Sequence, residues 1–311
     1  MHTEDASARY IDLDAWGSLD VLHSLWEGQL AAVAAIGPAL AAIASAAEAA
    51  EARLRHDGRL IHDGRLIYVG AGTSARIGVQ DGVELPPTFD WPAERLKFGI
   101  AGGDTAIMCA VEGAEDSTEQ ASAWIAESQT GPHDVVIGLA ASGTTPFTLS
   151  ALRSARAKGA LTIGLANNPD TPILHHCDHP ILVATGREAI AGSTRMKAGT
   201  AQKIVLNLLS TLIMIRLGRV YRGRMVAMRA TNRKLRARSV AMVAELAGCD
   251  EQAAARASAE ADGDIKRAVL IAMGSSLVEA NALLDQHDGN LRQAINSVSA
   301  DHAVLNSGAH R

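Results

Sequence analysis

The chain has 311 residues, 48% of them hydrophobic and 20% charged, with a formal net charge of -5. Such a chain can bury one sizeable core and carry a smaller appendage, and its mild acidity argues against a nucleic-acid or membrane-surface partner. Cys109, Cys177 and Cys249 are too few and too widely spaced for a disulfide framework or a zinc ribbon. The acidic, polar start is unlike a signal peptide, and the longest apolar run, Ile204–Ile215, is interrupted by Asn207, Ser210 and Thr211. A cytoplasmic protein is expected.

Residues 1–18 carry little pattern and are expected to wrap the surface. Leu19 to Arg55 is Ala-rich, with apolar residues at helical spacing, and Pro38 divides it into two helices. The hexapeptide HDGRLI then occurs twice, at 56–61 and 62–67. The second copy runs into the next strand; the first reads as a tandem insertion that lengthens the connector. Short apolar runs predict strands at Leu66–Val69, Arg95–Ala101, Asp134–Ala140, Leu161–Ala166 and Pro180–Ala184. Helical patterns at Asp104–Val111, Ser117–Glu127 and Pro146–Lys158 alternate with them. That alternation predicts an α/β fold, a parallel sheet covered on both faces with its ligand beyond the carboxyl ends of the strands. Thr194 to Gly248 reads as long helix broken near Gly218 and Gly223. Asp250–Ser297 reads as short helices separated by Gly263, Gly274 and Gly289, a small helical subdomain.

The residues fit for chemistry gather around two turns. Gly70-Ala71-Gly72-Thr73-Ser74 joins the first strand to a helix, so backbone N–H groups and a positive helix end converge there on an anion site. A second turn, Ala141-Ser142-Gly143-Thr144-Thr145, precedes Pro146, which suits the first position of a helix. Two hydroxyl-rich turns after two strands suit a phosphate and sugar hydroxyls. A dinucleotide, for which the first turn also fits the glycine fingerprint, would need an acid at the end of the second strand, where the chain has Ala101-Gly102-Gly103 with Asp104 following closely. Ordinary helix capping is the plainer use of Ser142 and Thr145. Glu84 falls at a helix C-terminal end, where the dipole disfavours negative charge, and Glu115 immediately precedes or opens the next helix, where the dipole favours it. Two acids in opposed surroundings are the pattern of one general acid and one general base. A solvated helix end and simple charge complementarity are the respective alternatives. Gly192-Ser193-Thr194 reads as a third hydroxyl-bearing helix start, and Arg195 and Lys197 in its first turns are ill placed for the dipole unless they serve an anion. The cluster His175-His176-Cys177-Asp178-His179 has no usual metal spacing and reads as a surface connector. The basic run Arg222–Arg238 reads as a solvated or salt-bridged helix face.

The segments GAGTS, ELPPTF, IAGG, VEGAEDS, AASG-T-P, GSTRMKAGTAQK, MIRLG and ATN-KL, in this order, resemble the N-acetylmuramic acid 6-phosphate etherase family. That family has the sugar isomerase (SIS) fold and is related to the glucokinase regulatory protein. The resemblance covers the chain from about Arg65 onward. It implies a three-layer α-β-α sandwich with a five-stranded parallel sheet at 61–240, N-terminal helices at 1–60, a small ubiquitin-associated-like helical subdomain at 241–311, and a homodimer. It implies cleavage of the D-lactyl ether of N-acetylmuramic acid 6-phosphate to N-acetylglucosamine 6-phosphate and D-lactate, without metal or cofactor. By that resemblance Glu115 takes the C2 proton, and Glu84 protonates the departing lactate oxygen and then activates water. Thr73, Ser74, Ser142, Thr144, Thr145, Ser193, Thr194 and Lys197 hold the phosphosugar. The chain departs from the family pattern: Ala75 replaces a glycine in GTSGR, Thr144 replaces the arginine of ASGRTPY, and Gly82-Val83 replaces Ala-Ser before Glu84. A phosphosugar-sensing regulator and a phosphosugar isomerase are the competing functions; a sensor needs only the phosphate cradle, not the two glutamates.

Overall fold

A computed structural model describes residues 3–56, 59–60, 64–228 and 233–298. Much of the duplicated hexapeptide, Arg229 and the ATN of the last motif lie outside them. The described chain divides into two compact units. One runs to His56, resumes up to Val83 and continues over Ala93–Ile213; the other is built from Glu84–Pro92 and the residues from Met214 onward.

The first unit holds five parallel strands: β1 Leu66–Gly70, β2 Leu96–Ile100, β3 Val135–Ala140, β4 Leu161–Ala166 and β5 His179–Leu182. Their order across the sheet is β2-β1-β3-β4-β5. The second copy of the hexapeptide does supply the start of β1. Every residue of β1, β3 and β4 is buried, as apolar runs without alternation require when helices cover both faces. On one face Ile67, Val69 and Val136 pack under α6 (Thr118–Glu127) and α7 (Pro146–Ala157), with Ala121, Ile125, Phe147 and Leu152 in the shared core. Gly138 makes room there: a Cβ on it would lie 2.5 Å from the Leu152 side chain. The other face carries α3 (Gly72–Val83), where Gly78 lies against Leu139 and Tyr68.

Helix α1 (Ser18–Ala34) and helix α2 (Leu40–Leu54) flank a turn at Gly37–Ala39, as Pro38 predicts. The stretch Ser18–Leu54 and helix α9 (Lys197–Arg216) are long and apolar enough to cross a membrane by length and composition alone; over half of the α9 window is buried inside the molecule.

Two polar latches hold the parts that carry the candidate site. At the amino ends of β1 and β3, Arg65 grips Asp134 through Nε (2.9 Å) and a second guanidinium nitrogen (2.6 Å), setting the neighbouring strands in register. Beneath α3, Asp81 accepts bonds from Tyr68 of β1 (2.8 Å) and from Asn207 (2.6 Å) and Ser210 (3.1 Å) of α9. Burial raises the Asp81 carboxyl above its ordinary range, and these three donors work against that rise.

In the second unit, Arg222 and Gly223 turn a two-residue antiparallel ladder, Val220–Tyr221 with Arg224–Met225, before α10 (Arg233–Ala247). The basic run is therefore not one helix, because two consecutive positive-φ residues (47° and 71°) break it. Helices α11 (Glu251–Glu260), α12 (Ile265–Ala272) and α13 (Leu277–Gln286) follow, with Gly263, Gly274 and Gly289 at the separations. Their apolar faces close one core around Val243, Ile265, Val269 and Leu291.

Candidate active site

Strand β1 leads through its first crossover to β2 on one side, whereas β3 lies on the other, so chain direction switches between β1 and β3. The crevice outside the carboxyl ends of such a pair is where open α/β sheets bind ligands. Both Gly-rich turns open there. Gly70 pairs with Leu139 in the ladder, which sets the Ala71–Ser74 turn beside the Ala141–Thr145 turn.

Each turn is shaped by its own sequence. Gly72 opens α3 at φ 52°, and the amides of the helix's first turn have no partner within the helix. Ala75, where the family carries glycine, fits without distortion: it is buried and donates its N–H to Ala71 O at 3.2 Å. In the second turn Gly143 adopts φ 74°, and a Cβ there would lie 2.2 Å from Thr171 Oγ1. Only glycine meets both conditions. Ser142 Oγ accepts the Thr144 N–H (3.2 Å) and hydroxyl (3.1 Å) and lies 3.5 Å from Thr145 Oγ1. Thr145 is the residue before α7 but makes no side-chain cap, so the capping alternative fails for it. Thr73, Ser74, Ser142, Thr144 and Thr145 thus share one edge of the sheet.

Glu115 lies on the turn Ala114–Asp116, ahead of Ser117, which caps α6. It is exposed. Glu84 belongs to the second unit. Helix α3 does stop before the prolines, at Val83, yet Pro86 and Pro87 sit in the first turn of another helix, α4 (Leu85–Phe89), where a missing N–H costs nothing. Glu84 therefore stands between a helix C-terminus and a helix N-terminus. Their partial charges oppose one another, which removes the dipole argument that set Glu84 apart from Glu115. The segment after it is anchored within its own unit by Arg219, which donates to Phe89 O (3.0 Å) and Asp90 O (2.9 Å) with its guanidinium over the Trp91 ring. Helix α3 begins at the carboxyl edge of the sheet and spans about 18 Å over its 12 residues, so Glu84 leaves it a helix length from the Gly72 turn.

The third turn departs from its prediction. Helix α9 starts at Lys197, not Gly192, and Ser193 and Thr194 lie in the turns before it. Its first amides are already occupied: Glu188 accepts from Lys197 N (3.0 Å) and Ala198 N (2.9 Å) and is buried. The Lys197 ammonium donates to Arg187 O at 2.8 Å, and burial lowers its pKa. The helix thus carries its own internal anion, and Lys197 closes this loop rather than standing free for an outside one. Arg195 is exposed.

Sequence reasoning missed Glu188, Asn168 and Thr3. Residues 1–18 do not all wrap the surface, since Thr3 is fully buried. An Asn-Asn-Pro run after β4 is a turn signal that points to Asn168; Glu188, nine residues before the helix it caps, leaves no local signature. The histidine cluster is also more than a surface connector. Cys177 is buried against Gly164, which pushes its thiol up to about 11, and Asp178 is held by Thr162 (2.7 Å) and Arg156 (2.9 Å). Among the described residues no three His, Cys, Asp or Glu side chains gather as metal ligands.

A β2-β1-β3-β4-β5 sheet with paired hydroxyl-rich turns at its switch point is a doubly wound α/β domain whose ligand crevice lies at that point, and its class is the SIS domain. Residues 117–212 match the SIS domain family, and residues 42–156 match the family described as glucokinase regulatory protein N-terminal SIS domain. A phosphoheptose isomerase structure from Francisella tularensis aligns at 20% identity and a TM-score of 0.45, over 65% of this chain and 98% of that one. The N-acetylmuramic acid 6-phosphate etherase of Deinococcus radiodurans is 46% identical over 94% of both chains. That of Symbiobacterium thermophilum is 45% identical over 86% of this chain and 87% of its own. The chain belongs to the N-acetylmuramic acid 6-phosphate etherase family.

Proposed function

We propose that this chain is a carbon–oxygen lyase that cleaves the D-lactyl ether of N-acetylmuramic acid 6-phosphate, releasing D-lactate and N-acetylglucosamine 6-phosphate. The observation that carries the reading is the pair of hydroxyl-bearing turns at the β1/β3 switch point, in a chain with this family membership. The Gly72–Ser74 amides and the Ser142, Thr144 and Thr145 hydroxyls hold the phosphate and sugar, with Ser193, Thr194 and Lys197 bounding the site. In the open-chain sugar the aldehyde acidifies C2. Glu115 removes the C2 proton, the C3–O bond breaks, and Glu84 protonates the leaving lactate oxygen. Water activated by Glu84 then adds its oxygen to C3 of the double bond, and C2 regains a proton. Each glutamate contributes on the order of 10²–10⁴ in rate. A phosphorylated substrate does not cross membranes, which favours a cytoplasmic enzyme.

The active form we propose is a homodimer. Leu19, Leu22, Trp26, Leu30 and Val33 form a stripe on α1 at helical spacing, each 47–67% exposed. Nearby, Tyr10, Leu13, Trp16, Val21, Leu22 and Ile190 line an apolar groove of about 750 Å³ away from the two turns. The length of α3 favours a second copy as the source of Glu84, because Glu84 leaves the helix far from its own Gly72 turn. Mixing inactive Glu84→Gln and Glu115→Gln proteins tests this: regained lactate release supports shared sites, whereas continued inactivity places both glutamates in one chain.

The activity itself is tested by supplying N-acetylmuramic acid 6-phosphate in ¹⁸O-labelled water. Lactate release with label at C3 of the amino sugar is expected; label in the lactate instead, or no lactate at all, would sink the elimination mechanism.

A further inference from the structure

Thr3 lies in a polar stretch, Thr3-Glu4-Asp5, that no apolar pattern draws into a core, yet none of its surface is exposed. All three of its polar groups are used over long range. Its N–H donates to Asn168 Oδ1 at 3.0 Å, its hydroxyl accepts from Asn168 Nδ2 at 3.0 Å, and its carbonyl accepts the Gly192 N–H at 3.4 Å. A backbone N–H can only donate, so it fixes which way the Asn168 amide faces. Asn168 Nδ2 is thereby turned to the carbonyls of Ser142 (3.4 Å) and Ala141 (3.5 Å), in the turn after β3. A second link joins the same segment to the loop before α9: Asp5 pairs with Arg187 at 3.6 Å. Gly192, at φ 73°, lies so near Glu4 that a Cβ on it would stand 2.8 Å from Glu4 Oε2.

We propose that Thr3 is a positioning residue for the phosphosugar, acting through Asn168 on the Ser142 turn and through Gly192 on the Ser193-Thr194 loop. A packing residue at this place would be apolar. Thr3 instead spends its bonds on Asn168, whose amide reaches the turn that carries Ser142, Thr144 and Thr145, and on Gly192, beside Ser193 and Thr194. Loss of its hydroxyl leaves Asn168 Nδ2 short of a partner in a buried setting and loosens the turn that seats the ligand before chemistry starts. Substrate binding weakens while the chemical step, which belongs to the glutamates, keeps its rate. The inference rests on the reading that the Ser142 turn seats the phosphosugar.

The test compares Thr3→Val, Thr3→Ser and Ser142→Ala in the full chain, measuring KM and kcat for lactate release from N-acetylmuramic acid 6-phosphate. Thr3→Val keeps the shape and removes the hydroxyl; it is expected to raise KM about tenfold, the worth of one buried hydrogen bond, with kcat within about twofold of the parent. Thr3→Ser restores the hydroxyl and should restore KM. If Thr3→Val leaves KM unchanged, or Thr3→Ser raises it equally, the hydroxyl does not position the turn and the proposal is overturned. Ser142→Ala separates the two levels: a raised KM there with an unaffected Thr3→Val removes Thr3 alone, whereas an unchanged KM removes the Ser142 seat and the proposal with it.

Discussion

Of the three helices that follow hydroxyl-rich, glycine-containing turns, α3 and α9 begin in opposite ways. At α3 the first turn opens at the carboxyl end of β1, and among the described residues no side chain accepts from its first amides. At α9 a buried carboxylate, Glu188, already accepts the first two amides. Both turns look alike in sequence: glycine, then two hydroxyl residues. The difference is a residue nine positions upstream of the second helix, brought in by the fold. A helix N-terminus is an anion site only where the protein has not supplied the anion itself.

The largest effect expected bears on the two proposed catalytic acids. Glu115→Gln should lower kcat by about 10²–10⁴-fold while phosphosugar still stabilises the protein thermally; a variant that keeps full turnover would remove Glu115 from the chemistry. Next come the glycines of the two adjacent turns. Gly143→Ala meets both a positive φ and Thr171, and should lose well over tenfold in kcat/KM. Gly72→Ala has open space and only the backbone cost, about 1–2 kcal/mol, so equal losses at the two positions would contradict the close-packed geometry at Gly143.

The contrast between the helix starts is sharpened by Glu188→Gln. Replacing one acceptor oxygen by an amide nitrogen sets a donor against one of the two backbone N–H groups, and thermal unfolding should report a loss of about 1–3 kcal/mol. Ser142→Ala, at the open site, should instead weaken ligand binding and leave ligand-free stability nearly unchanged. A reversal of these two outcomes would mean that the α9 turn is the ligand's seat.

The smallest effect belongs to Asp81. Its folded carboxyl is raised by burial, so the folded state holds its proton to higher pH than the unfolded state does, and stability falls as pH rises through the window just above the ordinary carboxylate range. Asp81→Asn should flatten that slope with little change near neutrality, because the Tyr68 hydroxyl can accept from the new amide. Urea melts at several pH values would show an unaltered slope if Asp81 were not the titrating group.

Much of the fold was legible because its signals are local. Buried parallel strands are uninterrupted apolar runs, so all five strands could be read within a residue or two at each end. Gly70 to Ser74 and Ser142 to Thr145 announced themselves because glycine and hydroxyl residues stand together where a strand ends and a helix begins. Helix α4 was not legible, since prolines that end one helix also suit the first turn of the next. Nor was the start of α9, which depends on a carboxylate far outside any capping window.

The amino-acid sequence by itself determined the α/β class, the two glycine- and hydroxyl-rich turns and the family to which the chain belongs, since each is written in residues adjacent along the chain. Only the tertiary structure decided which helix end stays open, that Lys197 and Glu188 close a loop on each other, and that Thr3 is bound to Asn168 165 positions away. Hydrogen bonds between such distant residues depend on where the sheet places its strand ends, and no period or spacing in the chain records that.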